Sequence, residues 1–383
     1  MRVIYKATEF PILQNRVYNT KEEALNCKKG NMNVVINEDD YIYNYDFDSE
    51  KMDYDQEYDN SVPSIFFKTY YSRIIDYLIE KYTLDSSSLV LDIGCGKGTF
   101  LKQMFSEVKY DGKAIGIDPS YEGELIPIQN KLSFIREYFN EKHLEGFDKI
   151  SLIILRHTLE HIPRPSEFLK NIFNVIEKCG VKNVPIFIEV PDVEWIIKNK
   201  AYWDFFYEHV NYFSKKSLFD TISSAGAKVM SIVNEFGDQY LWAEAIVNID
   251  NYITNSSINQ NPKLNFDFDF NKEIINNIKR LEEIFDINSK IVIWGMASKG
   301  IIYSLHLIKN GHEPDYFVDI NKNKQNKFIP IIAREIISPN NLPKEIELSI
   351  ICMNPNYTNE INEQCKSLKI NFKLFSPDLK QIK

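Results

Sequence analysis

Residues Ser88–Leu101 read SLVLDIGCGKGTFL. The apolar run Leu89–Leu91 is a candidate buried strand, and Asp92 stands at its end. Glycines alternate with other residues at positions 94, 96 and 98, and a helical pattern opens at Thr99. The stretch therefore predicts a strand, a tight glycine turn and a helix N-terminus, where a ligand can approach bare backbone N–H groups.

The spacing of the glycines separates two classes of ligand. A dinucleotide fingerprint, G-x-G-x-x-G, needs its third glycine where this chain has Thr99. The pattern D-x-G-x-G-x-G instead fits Asp92, Gly94, Gly96 and Gly98 without a mismatch. It resembles motif I of the class I S-adenosylmethionine (SAM) methyltransferases. The resemblance implies that the turn holds the methionine end of SAM, with Asp92 near its amino group. The alternative is a strand-to-helix turn without a ligand.

Length, charge and cysteine content limit the other possibilities. The chain has 383 residues, which suggests roughly two to three domains. The net charge of −9 argues against a general nucleic-acid-binding protein. The five cysteines form no C-x-x-C pair, which argues against a zinc site and a disulfide framework. We expect no membrane span and no signal peptide, and we therefore predict a cytoplasmic protein.

The pattern along the chain predicts two α/β domains. From residue 88, five strand–helix units end in a strand pair, 228–234 and 240–249, with a short connection. This order predicts a doubly wound sheet closed by an antiparallel hairpin. Before it, weak hydrophobic periodicity predicts short strands and loops. The predicted divisions are a small N-terminal domain (1–63), a SAM-binding domain (64–250), a polar linker (251–270) and a Rossmann-like α/β domain (271–383).

A second strand–turn–helix begins the C-terminal domain. The spacing from its first glycine, Gly295, to Asp319 is the same as in the first half of the chain. Ala297 and Lys299 replace the later glycines, and Gly300 stands where a Walker A loop has Ser or Thr. We interpret this turn as structural, without a nucleotide of its own.

Polar residues at two further strand ends extend the predicted SAM site. Asp118 ends the second strand in AIGIDPS, where a carboxylate can bind both ribose hydroxyls of an adenosine. The alternative is a turn aspartate before Pro119. Arg156 and His157 follow the fourth strand in RHTLEHIPRP, at the edge where open sheets bind ligands. We expect both near the adenosine and the methyl donor, and Arg156 is also a candidate for a substrate phosphate.

Two histidines in the same segment raise the question of a metal. His157 and His161 are four residues apart and would share one face of a helix. No third ligand is evident from the sequence. We therefore predict no metal site.

An aromatic segment after the fifth strand carries the candidate base. Residues Trp203–Ser214 read WDFFYEHVNYFS, with one Glu208–His209 pair among the aromatic side chains. One interpretation is a segment that covers the core and contains a hydrogen-bonded histidine. The other is a general base, His209, in an apolar pocket that tunes its pKa, with Glu208 orienting it. Its position after the fifth strand places it at the same sheet edge as the glycine turn.

Together these segments resemble the NDP-hexose C-methyltransferase family. The resemblance rests on motif I, RHTLEHIPRPSEFL, YEHVNYFS, FGDQYLWAEA and FVDINKNKQNKFIPI, and it extends from about residue 40 to the C-terminus. It implies an N-terminal zinc-binding domain, a central SAM domain and a C-terminal Rossmann-like domain that hold a nucleotide sugar between them. It also implies that a histidine removes the proton beside a sugar ketone and that the enolate takes the methyl group from SAM.

Residue by residue, the resemblance makes His209 the base and Glu208 its neighbour. The family's Y-H-E-H reads Phe206-Tyr207-Glu208-His209 here, so the first hydroxyl is missing and Tyr207 is the candidate replacement. Tyr58 stands where the family has a substrate-facing tyrosine. The zinc cysteines of the family are absent, so we predict that the N-terminal domain is degenerate and holds no metal.

Three hypotheses about function remain. The first, which we predict, is SAM-dependent C-methylation of a nucleotide-linked sugar. The second is O- or N-methylation of another small polar acceptor, because a base near neutral pKa suits a hydroxyl as well as an acidic carbon. The third is a non-catalytic SAM or sugar-nucleotide binding module, which the intact glycine motif and Asp118 disfavour. Thr99 disfavours an oxidoreductase, and the oligomeric state is open.

Overall fold

The computed structural model describes residues 1–52, 64–106, 110–125, 131–144, 149–247, 264, 266–286 and 288–382. Three sheets organise this part of the chain. The strands are β1 (Arg2–Pro11), β2 (Lys29–Ile36), β3 (Ile42–Asn44), β4 (Leu89–Ile93), β5 (Lys113–Ile117), β6 (Leu132–Ile135), β7 (Leu152–Arg156), β8 (Val184–Pro191), β9 (Asn211–Tyr212), β10 (Lys228–Glu235), β11 (Tyr240–Val247), β12 (Lys290–Trp294), β13 (Tyr316–Val318), β14 (Ile336–Ile337), β15 (Leu348–Cys352), β16 (Phe372–Phe375) and β17 (Gln381–Ile382).

Helices cover these sheets. They are α1 (Lys21–Leu25), α2 (Ile65–Lys81), α3 (Thr99–Ser106), α4 (Pro165–Lys178), α5 (Val193–Lys198), α6 (Lys215–Ser224), α7 (Phe270–Ile284), α8 (Ser298–Lys309) and α9 (Thr358–Ser367). Within the described ranges, none of the helices combines the length and the apolar character that crossing a bilayer requires.

The central sheet has the order β10-β11-β8-β7-β4-β5-β6. Strands β4 to β8 run parallel, and β11 lies antiparallel between β8 and β10. Successive side chains of β4 point to opposite faces: Val90 packs with α2 and α3, whereas Leu89 and Leu91 pack with α4 and α6. Both faces are thus covered, which explains the continuous apolar strands. The predicted doubly wound sheet with an antiparallel hairpin is confirmed.

The strand order of the central sheet reverses between β4 and β7. Strands β5 and β6 follow on one side, and β8 and β11 on the other. Ligands of open α/β sheets bind at such a switch point, outside the carboxyl ends of the strands. The glycine turn after Ile93 and the segment after Arg156 meet at this point.

The C-terminal sheet repeats this arrangement on a smaller scale. Its order is β14-β13-β12-β15-β16-β17, with all pairs parallel except β16 with β17. Its switch point lies between β12 and β15, where Gly295 and Met353 follow the strands. The second Rossmann-like α/β unit is therefore present.

The N-terminal sheet has the order β1-β2-β3-β9. Its strand β1 is ten residues long, so the prediction of only short strands was wrong for this segment. The periodicity is weak because the pairing of β1 with β2 shifts register between Val3 and Tyr5 and again between Ala7 and Phe10. Strand β9 belongs to this sheet and lies within the aromatic segment of the candidate base, with its first residue, Asn211, two positions after His209. The predicted domain divisions stay a prediction, since two of them fall at residues outside the described ranges.

Candidate active site

A cavity of about 900 Å³ lies between the carboxyl edges of the central and C-terminal sheets. Asp92, Gly94 and Asp118 line it from the central sheet, and Gly295 and Lys299 line it from the C-terminal sheet. Both switch points therefore open into one space. Its volume is at the upper end of the range of about 300–1,000 Å³ for ligand sites, which leaves room for a donor and an acceptor.

The glycine turn is shaped by its backbone. Gly94 has φ +79°, a left-handed conformation that favours glycine, and a Cβ atom there would collide with Oγ1 of Thr158. The N–H of Gly96 donates to Oδ2 of Asp118 at 2.8 Å. Gly98 lies outside the cavity lining, and its N–H donates to the carbonyl of Cys95 at 2.9 Å. The turn thus brings backbone without side chains to the cavity at Gly94 and Gly96. The N–H of Gly94 donates to the carbonyl of Ile117 at 2.8 Å, so the N–H groups of both glycines are already bonded within the chain.

Asp118 joins the turn to the second strand. Its Oδ1 accepts hydrogen bonds from the N–H of Ser120 at 2.7 Å and from the hydroxyl of Ser120 at 2.6 Å. Each carboxylate oxygen can accept about two hydrogen bonds, so Oδ2, which already accepts from Gly96, can take one more donor. This geometry is compatible with the predicted ribose contact.

The burial and charge of Asp92 indicate whether the site fits SAM. Its side chain is only 2% exposed, and burial raises its pKa to about 7, with Arg156 opposing and Asp118 adding to the shift. Within the described part of the chain, no group donates a hydrogen bond to this carboxylate. A buried carboxylate of this kind matches a cationic partner such as the amino group of SAM. The residues present therefore fit the cofactor.

Arg156 is held by an internal ion pair. Its guanidinium donates to Oε1 of Glu189 at 2.6 Å and lies over the rings of Tyr71 and Phe100, at 4.3 and 4.5 Å from their centroids. Burial alone would raise the pKa of Glu189, but Arg156 and His157 hold it well below its usual range. Arg156 lines the cavity, yet most of its contacts are structural. Its predicted role toward the cofactor or a phosphate stays a prediction.

Glu189 is a residue that the sequence analysis missed. It is fully buried in β8 and also accepts hydrogen bonds from the Tyr70 hydroxyl and, at 2.7 Å, from Nε1 of Trp242. The sequence feature that could have identified Glu189 is that it is a single acidic residue inside the apolar run PIFIEV. A charge in a buried strand needs partners, and here they come from α2, β7 and β11.

His157 has an unusual backbone and two acidic neighbours. Its φ is +49°, and the residue lines the cavity directly after β7. Its Nε2 lies 2.9 Å from Oε1 of Glu189, and its Nδ1 lies 3.4 Å from Oε1 of Glu160. Burial lowers the pKa of His157, but the contacts with Glu160 and Glu189 outweigh it and raise the pKa to about 9. The ring is therefore cationic at neutral pH.

His209 lines the same cavity as the glycine turn. Its half-buried ring contacts Phe206 and His161, with centroids 4.8 and 4.9 Å apart. Burial, with smaller contributions from His161 and His157, holds the pKa of His209 well below its usual range. The imidazole is therefore neutral at physiological pH and retains a lone pair.

The neighbours of His209 point away from the cavity. Tyr207 is fully buried against the N-terminal sheet: its hydroxyl accepts from the N–H of Asp48 at 3.1 Å, and its carbonyl accepts from Asn44 at 3.2 Å. The catalytic role predicted for Tyr207 does not fit this position, because the hydroxyl is outside the cavity lining. Glu208 has its carboxylate 3.9 Å from Nδ1 of His161. Its predicted role in orienting His209 stays a prediction, and Tyr58 lies outside the described residues.

Comparison with known proteins agrees with this site. A family model described as a methyltransferase domain matches residues 65–232. The C-methyltransferase NovU of Streptomyces niveus is 24% identical over 164 residues, which are 42% of this chain and 37% of NovU. The match thus spans little more than a third of that relative.

Solved structures show weaker likenesses. The plantazolicin methyltransferase BpumL has 16% identity and a TM-score of 0.36, over 48% of this chain and 84% of its own. The 1,6-didemethyltoxoflavin-N1-methyltransferase of Burkholderia thailandensis has 14% identity and a TM-score of 0.35, over 46% and 78%. Because both TM-scores are below 0.5, these likenesses carry no part of the assignment. The family match therefore identifies residues 65–232 as a methyltransferase domain, and the central sheet and the glycine turn in this range have the geometry of the class I SAM-dependent fold.

Proposed function

We propose that the enzyme transfers the methyl group of SAM to a nucleotide-linked sugar, at a carbon beside a ketone, with His209 as general base. The observation that carries the proposal is that His209 lines one cavity together with Asp92 and Gly94. The resemblance to the NDP-hexose C-methyltransferases supports the acceptor class. The similarity to NovU, which is itself a C-methyltransferase, supports transfer to carbon.

The proposed reaction requires only two contributions from the protein. Bound SAM supplies an activated methyl group, so the chain has to align the acceptor and accept one proton. The ring of His209 would take the proton from the carbon beside the ketone, and the resulting enolate carbon would form the new bond to the methyl group. The bond between that methyl group and the sulfonium sulfur would break at the same time, which leaves S-adenosylhomocysteine.

The C-terminal side of the cavity supports an acceptor that carries phosphates. Lys299 and Lys324 both line it, next to the N-terminus of α8. Lys299 lies 2.9 Å from Asp204, and the 3% exposed Lys324 has its Nζ 3.3 Å from Oδ1 of Asn15. Because Lys299 is already paired with Asp204, the N-terminus of α8 is the feature that we propose for contact with a diphosphate. Tyr58 remains the proposed contact to the sugar.

Isotopic labelling tests the reaction. The enzyme is incubated with SAM labelled with ¹³C at the methyl group and a set of nucleotide-linked keto sugars, and the product is examined by NMR. A methyl carbon bonded to carbon is the expected signal. A methyl bonded to oxygen or nitrogen would contradict C-methylation and favour the second hypothesis.

The role of His209 needs its own variant. General-base catalysis contributes about 10²–10⁴-fold, so His209→Asn is expected to lower transfer by at least about a hundredfold. The SAM affinity of this variant should stay within a few-fold of that of the wild type. His312→Asn is the matched control, because His312 pairs with Glu282 and is not part of the cavity lining. Full activity of His209→Asn would remove His209 as the base.

A further inference from the structure

We infer that Glu160, His161 and His209 form a site for one divalent transition-metal cation beside the methyl-donor pocket. One ligand atom from each of the three side chains lies within 4.8 Å of the other two. All three residues line the cavity. The sequence analysis predicted no metal, because it found only His157 and His161 and no third ligand. The cluster in the structure keeps His161, has Glu160 in place of His157, and takes His209 from a distant segment.

Two backbone hydrogen bonds hold the segments together. The N–H of Val210 donates to the carbonyl of Glu160 at 2.9 Å. In the opposite direction, Nδ1 of His161 donates to the carbonyl of Glu208 at 3.0 Å. The turn after β7 and the residues around His209 are therefore joined on both sides of the cluster.

The carboxylate of Glu160 is the second, independent sign of a cation. The residue is 1% exposed, and neither of its carboxylate oxygens accepts a hydrogen bond from the described part of the chain. Nδ1 of His157 lies 3.4 Å from Oε1 as an ion-pair contact, which balances charge but leaves Oε2 without a donor. His157 thus compensates the charge of Glu160, but a buried oxygen without a donor is unfavourable, and a cation bound at Oε2 would satisfy it.

The orientation of His161 suits a ligand. Because a carbonyl can only accept, the contact with Glu208 places the proton of the ring on Nδ1 and the lone pair on Nε2. Histidines that bind metals usually donate their other ring nitrogen to a carbonyl or carboxylate in this way. The structure therefore already contains the outer support that a metal-bound imidazole requires.

The donor set indicates the kind of cation. Two imidazoles and one carboxylate form a set that zinc and other first-row divalent metals bind, with open positions for water or a ligand. Ligands about 2.1 Å from one zinc ion are about 3.4 Å apart. The ligand atoms, which lie within 4.8 Å of one another, therefore have to approach by at most about 1.4 Å. The open positions would face the cavity.

The site has a consequence for the reaction, and this part rests on the proposed function. A nitrogen of His209 that binds a cation has no lone pair for a proton. Cation binding and proton removal therefore compete at the same ring. We expect the cation-bound enzyme to be inactive in the transfer reaction, and a chelator to restore activity.

Cobalt and zinc titrations of the full-length, chelator-treated enzyme test the site. We expect one Co²⁺ per chain with visible ligand-field absorption, and Zn²⁺ should displace it. Glu160→Gln and His161→Asn should each weaken binding at least tenfold, whereas His312→Asn should bind as the wild type does. Absence of saturable binding in the wild type, or equal binding in both cluster variants, would overturn the inference.

Two further measurements distinguish the absence of the metal site from misfolding of the variants and from failure of the proposed function. X-ray absorption on the wild-type Co²⁺ complex should show nitrogen and oxygen ligands only, and sulfur ligation would place the metal elsewhere and overturn the site. Turnover that is unchanged at saturating Zn²⁺ would overturn the competition. If the wild type binds metal but His209→Asn stays active, the metal site is supported and His209 is not the base. If no metal binds to the wild type but His209→Asn is inactive, His209 is supported as the base and the metal site is not.

Discussion

The carboxylate of Asp118 accepts a hydrogen bond from the backbone N–H of Gly96, with 2.8 Å between Oδ2 and the nitrogen. The two residues follow different strands of the central sheet, Gly96 in the turn after β4 and Asp118 directly after β5, and they belong to two motifs that are separate in the sequence. Their bond makes the glycine turn and the acidic end of β5 one unit. A change in Asp118 therefore alters the turn as well as any ribose contact.

We expect Asp118→Ala to lower SAM affinity by about 10-fold to 100-fold. Hydrogen bonds to a charged group contribute about 1.5–3 kcal/mol, and the variant removes bonds to Gly96 and Ser120. Isothermal titration with SAM measures the effect. Asp111→Ala is the control, because Asp111 is an exposed residue paired with Lys131. An unchanged affinity in Asp118→Ala would show that the turn keeps its shape without this carboxylate.

SAM binding should depend on pH through Asp92. The pKa of Asp92 is raised to about 7 by burial, so the carboxylate gains its charge as the pH rises through neutrality. If this charge meets the amino group of SAM, affinity rises between about pH 6 and pH 8 in the wild type. Asp92→Asn should bind SAM weakly and without this slope. Titration calorimetry at several pH values is the measurement, and a parallel slope in both proteins would assign it to another group.

The same shift has a consequence for the unliganded protein. A carboxyl whose pKa is higher in the folded state than in the unfolded state favours folding below its ordinary pKa. This contribution is lost as the pH rises from about 4 to about 7, through the folded pKa. The free energy of unfolding of Asp92→Asn, from urea titrations, should therefore fall less over this range than that of the wild type. A larger fall in the variant would contradict the raised pKa.

Gly94→Ala should destabilise the turn in two ways, through the backbone conformation and through a steric collision. Alanine at φ +79° costs about 1–2 kcal/mol, and its methyl group also collides with Thr158. Gly180→Ala is a matched control, because Gly180 has φ +72° but nothing within 4 Å of the new Cβ atom. We expect the free energy of unfolding of Gly180→Ala, measured in urea, to fall only by the backbone cost. The free energy of unfolding of Gly94→Ala should fall further, and this variant should bind SAM at least about tenfold more weakly than the wild type. Equal decreases in the free energy of unfolding of the two variants would show that Thr158 moves away from the new methyl group without a cost in stability.

Arg156→Ala should destabilise the enzyme even without SAM. Removing one partner of a buried ion pair costs about 3–5 kcal/mol, because the charge of Glu189 is left uncompensated. Arg164→Ala removes an exposed pair with Glu167 and should change the free energy of unfolding by less than about 1 kcal/mol. Urea unfolding of the unliganded proteins compares the two. A stable Arg156→Ala variant that binds SAM poorly would instead support the predicted contact with the cofactor.

Short-range patterns in the chain were sufficient for the first half of the site. The strand, the glycine turn and the helix at residues 88–101 follow from local hydrogen bonding and from side-chain periodicity. The position of Asp118 at the end of the next strand follows because parallel strands joined by helices present their carboxyl ends at one edge. The proximity of the glycine turn and Asp118 therefore follows from the sequence.

Contacts between distant segments could not be predicted in this way. Glu189 has its partners on three other elements, Tyr207 turns toward the N-terminal sheet, and His209 meets Glu160 and His161 from about 50 residues away. Each of these arrangements depends on which faces pack together and on where buried charges find partners. Periodicity reports whether a residue faces the core, but only packing selects the side chain that it meets there.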